Sequence, residues 1–280
     1  MAALTSQISQ TLVMSSKVIQ ATSKQDIALH GFARDKSFSF ILVADNHGRG
    51  LNKFYTKNII ENIDWSSFLL EKHWKKTLIK ITSVDNTYCI GTTITIVKIY
   101  IDKIIIDWLG DSSAKIYSNN SIIWETKDHD NKNIEDIQRL SSNHFEIKYG
   151  WDIQVIDSKN IKSIKSATFK KNMDGLNMTR ALGHKGIYID DIHNFDSKTI
   201  LKKSGKKYKC IVATDGMWQM TCPGDLEFLS NHTTTANEIA DFALQRWKQK
   251  WIHDNTMGTI KTVSFPDWNI DDIGVAVYTD

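Results

Sequence analysis

The chain is 280 residues long, 41% hydrophobic and 24% charged, with a formal net charge of +3. This describes an ordinary soluble globular protein able to bury a real core, as one large domain or two small ones. The charge is too small, with no Lys/Arg block, to support nucleic-acid binding.

Residues 1 to about 15, rich in Ser, Thr and Gln, read as a loose arm or a first edge strand. Residues 18–32 carry short apolar patches around Lys24-Gln25-Asp26 and read as a strand ending near a carboxylate cluster. Next, Phe38-Ser39-Phe40-Ile41-Leu42-Val43-Ala44 runs straight into Asp45-Asn46-His47-Gly48. A continuous apolar run of that length predicts a buried strand, and the residues after it a tight turn. Apolar positions at 51, 54, 55, 59 and 63 have a helical period. A second helix is predicted over 66–81, with Leu70, Trp74, Leu78 and Ile81 on one face and Lys72, Lys75, Lys76 and Lys80 on a solvated one.

Residues 87–99 and 103–108 alternate or run apolar with β-branched side chains, a hairpin of strands. Lys98, Asp102, Lys103 and Asp107 interrupt this most apolar region, so it is no membrane span. Residues 115–124 continue in the same style across the turn signal Asn119-Asn120, and 134–140 predict a short helix. Asp128-His129-Asp130 resembles a metal cluster by composition, though a local turn capping the next helix is the commoner case. Residues 144–173 are polar and poorly periodic, the best candidate for a mobile loop or flap. A short helix ended by Gly183 is expected over 175–183. Thr235-Ala236-Asn237-Glu238 is a capping box opening an amphipathic helix to about Lys250, with Ile239, Phe242, Ala243 and Trp247 facing inward. No internal repeat or linker stands out, and one domain over 1–280 is expected.

The motif of an apolar run with a carboxylate at one end recurs. Cys210-Ile211-Val212-Ala213-Thr214 leads into Asp215-Gly216, and Ile104-Ile105-Ile106-Asp107-Trp108-Leu109 into Gly110-Asp111-Ser112. Near the C-terminus the order inverts, with Asp271-Asp272 before Ile273-Gly274-Val275-Ala276-Val277-Tyr278. Ends meeting at one edge of a sheet sandwich would form an oxygen-rich cluster suited to hard cations such as Mg²⁺ or Mn²⁺. Four unrelated Asp-containing turns would give the same pattern. The three cysteines, Cys89, Cys210 and Cys222, lack metal-type spacing and read as free thiols in a reducing compartment. With no secretory signal in the first 20 residues, an intracellular protein is expected.

In order, Gln25-Asp26, Ala44-Asp45-Asn46-His47-Gly48, Gly91-Thr92-Thr93, Leu109-Gly110-Asp111-Ser112, Asp128-His129 with Glu135 and Arg139, Thr179-Arg180-Ala181-Leu182-Gly183, Ala213-Thr214-Asp215-Gly216-Met217-Trp218 and Asp271-Asp272-Ile273 resemble the motifs of the metal-dependent serine/threonine phosphatases of the protein phosphatase 2C type. The resemblance implies an α+β fold: a four-layer α-β-β-α sandwich with two antiparallel sheets at the core and a metal site at one edge. It implies two Mg²⁺ or Mn²⁺ ions and a weaker third. Asp45 would bridge the first two, Asn46 would offer its backbone carbonyl, Asp215 and Asp271 would hold one ion, and Asp26 would act through water. Asp111 with Asp215 would hold the third, and Asp128-His129 would be structural. A metal-bridging hydroxide would attack phosphorus, with His47 as the general acid for the leaving oxygen. The implied partner is a phosphoprotein substrate, not nucleic acid or a membrane, and the implied state a monomer.

Departures from the pattern bear on activity. Ala21 stands where the family usually has a phosphate-clamping Arg; Lys17, Lys24 and Arg34 are the candidate substitutes. Asn46 replaces a Gly, Gln219 an acidic residue, and His184 the common Asp after Ala-Leu-Gly. The competing reading is a pseudophosphatase, a binding module that keeps the fold and turns over little. A nucleotide-acting hydrolase lacks any P-loop.

Overall fold

The structure, a computed structural model, describes residues 12–21, 23–48, 53–83, 90–142, 146–171, 174–184, 194–254 and 260–280, with the backbone alone at 141–142, 146–154, 162–171, 174–175 and 254. The expected loose arm before residue 12 and Cys89 lie outside the described residues. The chain begins with β1 (Val13–Ile19), β2 (Asp26–Phe32) and β3 (Ser39–Gly48), then α1 (Tyr55–Asn62), α2 (Trp65–Phe68) and α3 (Trp74–Thr82). β4 (Ile90–Thr92), β5 (Ile94–Ile99), β6 (Lys103–Leu109), β7 (Ser113–Ser118) and β8 (Ser121–Glu125) precede α4 (Ile134–Ser142). β9 (Glu146–Val155), β10 (Asn160–Lys171), β11 (Asp174–Leu176), β12 (Leu182–Gly183), β13 (Asp196–Leu201) and β14 (Tyr208–Ala213) follow. α5 (Asp215–Trp218), α6 (Leu226–Ser230), α7 (Ala236–Lys248), β15 (Trp251–Asp254), β16 (Ile260–Val263) and β17 (Ile273–Thr279) complete it.

Alternation of side chains along the strands builds the layers. One sheet has the order β1-β17-β14-β7-β8, the other β12-β4-β3-β5-β6-β13 with β2 also on β3. In β14 and β17, Cys210, Val212, Ala276 and Tyr278 meet Ile41, Val43, Ile104 and Ile106 of the second sheet. Their neighbours Ile211, Ala213, Ile273, Val275 and Val277 point the other way, onto Ile239, Ala240, Ala243 and Trp247 of α7. On the far side Phe40, Leu42, Ala44, Ile94 and Ile96 pack on Ile60, Trp65, Trp74 and Leu78 of the α1–α3 region. Three apolar layers between four structural ones make the α-β-β-α sandwich, an α+β fold.

The expected capping box is present: Thr235 Oγ1 accepts from Glu238 N–H, and Glu238 Oε2 accepts from Thr235 N–H at 2.7 Å. Asn119 and Asn120 both adopt positive φ, 51° and 62°, as a primed hairpin turn requires. Three expectations are corrected. Residues 18–32 are two strands in different sheets, broken by the loop before Asp26. The second helix begins at Trp74, not 66. Trp65 and Trp74 are nine residues apart and would face opposite sides of one continuous helix, yet both bury in one cluster, and the break after Phe68 allows it. No helix forms over 175–183, because tertiary hydrogen bonds hold that segment: Thr179 N–H donates to His129 O at 2.7 Å, and Leu182 and Gly183 pair with Thr92 and Gly91.

Residues 144–173, expected as a mobile loop or flap, contain the β9–β10 hairpin, paired from Val155↔Ile161 to Glu146↔Lys170. β10 joins β11, β15 and β16 in a third sheet beside the sandwich. No helix among the described residues is long and apolar enough to cross a membrane. Trp247 ties α7 to the rest: its Nε1–H donates to Gly216 O at 2.8 Å and its ring packs edge-on to Phe265. Trp247→Ala should lower unfolding stability by about 3–5 kcal/mol, read by denaturant titration.

Candidate metal centre

Phe40, Leu42 and Ala44 face the helices while Ile41 and Val43 lie between the sheets, so the period of two turns Asp45 into the mouth of the sandwich. β2 alternates likewise, with Ile27 outward and Ala28 inward, and Asp26 shares that mouth. The register sets Asp26 directly opposite Asp45. From the other sheet Thr214 reaches across: its hydroxyl donates to Asp26 Oδ2 at 2.6 Å and accepts from Gly274 N–H at 2.9 Å.

Asp215 opens α5 where β14 ends, and Asp271 precedes β17. Gly216 makes their approach possible, since a Cβ there would stand 2.1 Å from Asp272 O and 3.1 Å from Asp271 Cβ. Asp111 sits in the turn between β6 and β7. Gly110 enters that turn at φ +109°, with its N–H on His129 Nδ1 at 3.0 Å.

Asp26 is buried, and Asp45, Asp111, Asp215 and Asp271 are half-buried in its company. Burial raises Asp26 to about 8, with Asp272 and Asp271 adding to it. Asp45 rises well above the usual range through burial and then Asp26, Asp215, Asp271 and Asp111. Asp215 does so through burial and then Asp271, Asp111 and Asp26. Burial, Asp128 and Asp130 lift Asp111 to about 7, and burial lifts Asp271 to about 6. The charges acting on these five groups are other carboxylates.

Such a set ionises fully only against cations, and an all-oxygen donor set matches a hard divalent ion. Asp111 Oδ1 is a buried oxygen without a hydrogen-bond partner among the described residues. No group of three or more His, Cys, Asp or Glu side chains among the described residues is placed to hold a metal ion by itself. An open arrangement suits Mg²⁺, which keeps several of its waters. The residues fit the ion by chemistry and burial.

The other predicted site residues gather at the same edge. Asn46 Nδ2 donates to Gln25 O at 2.8 Å. Thr93 N–H donates to Asp45 O and Asp45 N–H to Thr93 Oγ1, so 45/93 is the hydrogen-bonded position and the next pair, Asn46↔Thr92, is a non-hydrogen-bonded one. The Asn46 carbonyl is therefore left off the β4 ladder. His47 Nδ1 donates to Asp45 O at 3.2 Å, and its Nε2 is buried without a partner among the described residues. Burial pulls its pKa down to about 4, so the ring is neutral in this state.

Residues 13–256 match the family model of protein phosphatase 2C. The chain belongs to the protein phosphatase 2C family. The match stops before Asp271, which the structure nonetheless places with the other carboxylates. No curated protein matches by sequence. The fold is similar to that of a serine-threonine phosphatase 2C from Toxoplasma gondii (13% identity, TM-score 0.59, covering 95% of this chain and 94% of that one). It also resembles a C. elegans sex-determining protein (18%, TM-score 0.58), covering 96% of this chain but spanning only 64% of that one. A third likeness is the catalytic domain of the serine/threonine phosphatase PstP in complex with two manganese ions (14%, TM-score 0.55, 96% and 99%).

Within this protein phosphatase 2C fold, several residues escaped sequence reasoning. Asp272, where the family pattern has Asn, accepts Ala21 N–H at 2.5 Å, Gln25 N–H at 2.6 Å and the Ser23 hydroxyl, and so clamps the loop before Asp26. Lys57 Nζ donates to Lys24 O at 2.8 Å and Asp26 O at 3.2 Å from the other side. The i,i+4 spacing of Lys57 to Glu61 signals only a surface pair. Asp136, not Glu135, is the acid that meets Arg139 and Arg180; Glu135 is exposed. His129 is fully buried, bridging Gly110 and Asp196. Of the three candidate phosphate clamps, Arg34 pairs with Asp64 beyond the far end of β2, and Lys17 shares the α7-facing side of β1 with Ile19. Only Lys24, exposed at φ +58°, stands at the carboxylate end.

Carboxylates whose pKa is raised in the folded state bind protons that the unfolded chain has released, so stability falls as pH rises towards their folded values. His47 works oppositely between about 4 and 6.5, which leaves the window from 6.5 to about 8 to the raised carboxylates, Asp26, Asp111 and Asp128 together with Asp45 and Asp215. The chelator-treated protein should therefore lose thermal stability across that window, and Asp26→Asn should flatten the slope; a parent Tm that rises with pH there contradicts the shifts.

Proposed function

We propose that the chain is a Mg²⁺- or Mn²⁺-dependent phosphatase of phosphoserine and phosphothreonine in proteins. The observation that carries this is the set of five mutually repelling carboxylates, Asp26 buried and the other four half-buried, at one edge of a protein phosphatase 2C sandwich. Asp45, Asp215, Asp271, the Asn46 carbonyl and, through water, Asp26 would hold two ions, and Asp111 with Asp215 a third. When bound, the ions lower the pKa of water and neutralise phosphoryl charge. The chain's own groups would do the rest. Thr214 and Asp272 hold the carboxylate-bearing segments in place, and Lys24 supplies a cation beside the mouth. His47 is neutral in the free protein, so it becomes a proton donor only when the phosphoryl dianion sits against Nε2 and raises its pKa.

We read residues 1–280 as a single domain, monomeric and intracellular, with β9–β10 shaping substrate choice. The free thiols Cys210 and Cys222 suit a reducing compartment. A second reading, a pseudophosphatase, is favoured by one observation: position 21 offers no guanidinium, and its N–H is already taken by Asp272.

Hydrolysis of a phosphothreonine peptide should require Mn²⁺ or Mg²⁺ and fall more than about 100-fold in Asp215→Asn, as loss of a ligand exceeds that of an outer partner. Equal turnover by parent and variant would remove the enzyme reading; a folded, metal-loaded parent without turnover would favour the pseudophosphatase. Ala21→Arg should lower KM for the peptide roughly tenfold by adding a bidentate clamp. An unchanged KM would show that Lys24 or another group already holds the phosphate.

A further inference from the structure

Among the described residues, His47 is fixed by hydrogen bonding at one nitrogen only, through a contact of 3.2 Å to Asp45 O. One such contact leaves the plane of an imidazole free to rock, because χ2 of His has a broad profile. Lying flat on that plane is the ring of His184, its centroid 4.6 Å away and its plane within 17°.

The backbone is shaped to put that ring there. Gly183 and His184 take φ of +76° and +49°, a conformation uncommon outside glycine. The His184 N–H is anchored on Ile90 O at 2.8 Å. Gly183 pairs with Gly91, and Gly91 pairs on its other side with His47, so the two histidines approach over the same glycine. A Cβ on Gly91 would stand 2.1 Å from His184 Cδ2 and 2.3 Å from Nε2. Only a bare backbone at 91 leaves room for the ring, which is 1% exposed.

We propose that His184 is a positioning residue for proton transfer: its ring fixes the plane of His47 so that Nε2 is aimed at the leaving oxygen. This rests on the phosphatase reading above. As water attacks phosphorus and passes one proton to a phosphoryl oxygen, the bond from phosphorus to the seryl or threonyl oxygen breaks and its electron pair stays on that oxygen. The proton that His47 Nε2 takes up when the phosphoryl dianion binds moves to it, and the Nδ1–H remains on Asp45 O. An activated aryl ester needs no such proton, because nitrophenolate is stable at neutral pH.

The test compares His184→Asn, which tolerates the left-handed backbone but removes the ring, with His184→Phe, which keeps a flat ring. In the full chain with Mn²⁺, His184→Asn should lower kcat for a phosphothreonine peptide about tenfold or more and for p-nitrophenyl phosphate less than about threefold. His184→Phe should recover most of the loss. Equal losses on both substrates, or a Phe variant no better than Asn, overturn the proposal. The His47 ring-proton resonances of the metal-free protein give a readout independent of turnover. His184→Asn should move them downfield as the ring current is lost, and His184→Phe should not. Unmoved resonances in His184→Asn overturn the proposal whatever the activity. A parent that turns over neither substrate while the resonances respond as expected overturns the phosphatase reading and supports the hold of His184 on His47.

Discussion

Two carboxylates on neighbouring strands, Asp26 and Asp45, face each other in the register of β2 and β3, at the buried mouth between two sheets. In that low-dielectric position their repulsion is strong, and Asp215, Asp271 and Asp111 add to it from three other strand ends. Left to itself this group would take up protons or open the sandwich. The surrounding structure prevents the second outcome, and a divalent cation would remove the need for the first. Much of the local architecture follows from holding like charges together.

The restraint comes largely from neutral groups and backbone. Thr214 accepts from Gly274 within its own sheet and donates across to Asp26, so the two halves of the site cannot part without losing the Asp26 bond. Gly216 lets the start of α5 touch the 271–272 backbone, and Trp247 of α7 holds the Gly216 carbonyl in turn. Asp272 collects two backbone N–H groups and a hydroxyl from the loop before Asp26, which sets where β2 begins. A rigid shell of this kind is what a site of water-bridged ligands requires, since the ions themselves impose little geometry on loosely spaced oxygens.

At 13–18% identity to the solved structures described, the shared feature is the fold, and three departures from the family's motifs lie around the site. Ala21 withdraws a guanidinium, Gln219 donates to Asp215 Oδ2 at 2.9 Å, and His184 brings an aromatic plane against His47. These changes alter how an anion would be held and how a proton would be delivered, and they leave the carboxylate frame intact.

The strand ends bearing Asp45, Asp111, Asp215 and Asp271 were legible because a buried strand must be apolar along its length, and a charge can follow only where it surfaces. The α7 capping box and the Asn119-Asn120 turn were legible for a similar reason, as their hydrogen bonds and φ angles are set within a few residues. Other features depended on contacts distant in sequence. The extended path of 175–183, against its helical appearance, is imposed by His129, Thr92 and Gly91. The choice of Asp136 over Glu135 is made by Arg180, which lies 44 residues away. The β9–β10 pairing of polar strands left no hydrophobic period to read. The sequence by itself determined which residues could carry the chemistry, through local pattern and residue type. Only the tertiary structure decided which of them share one volume and which stack, because the strand register across the sheets assigns every neighbour at once.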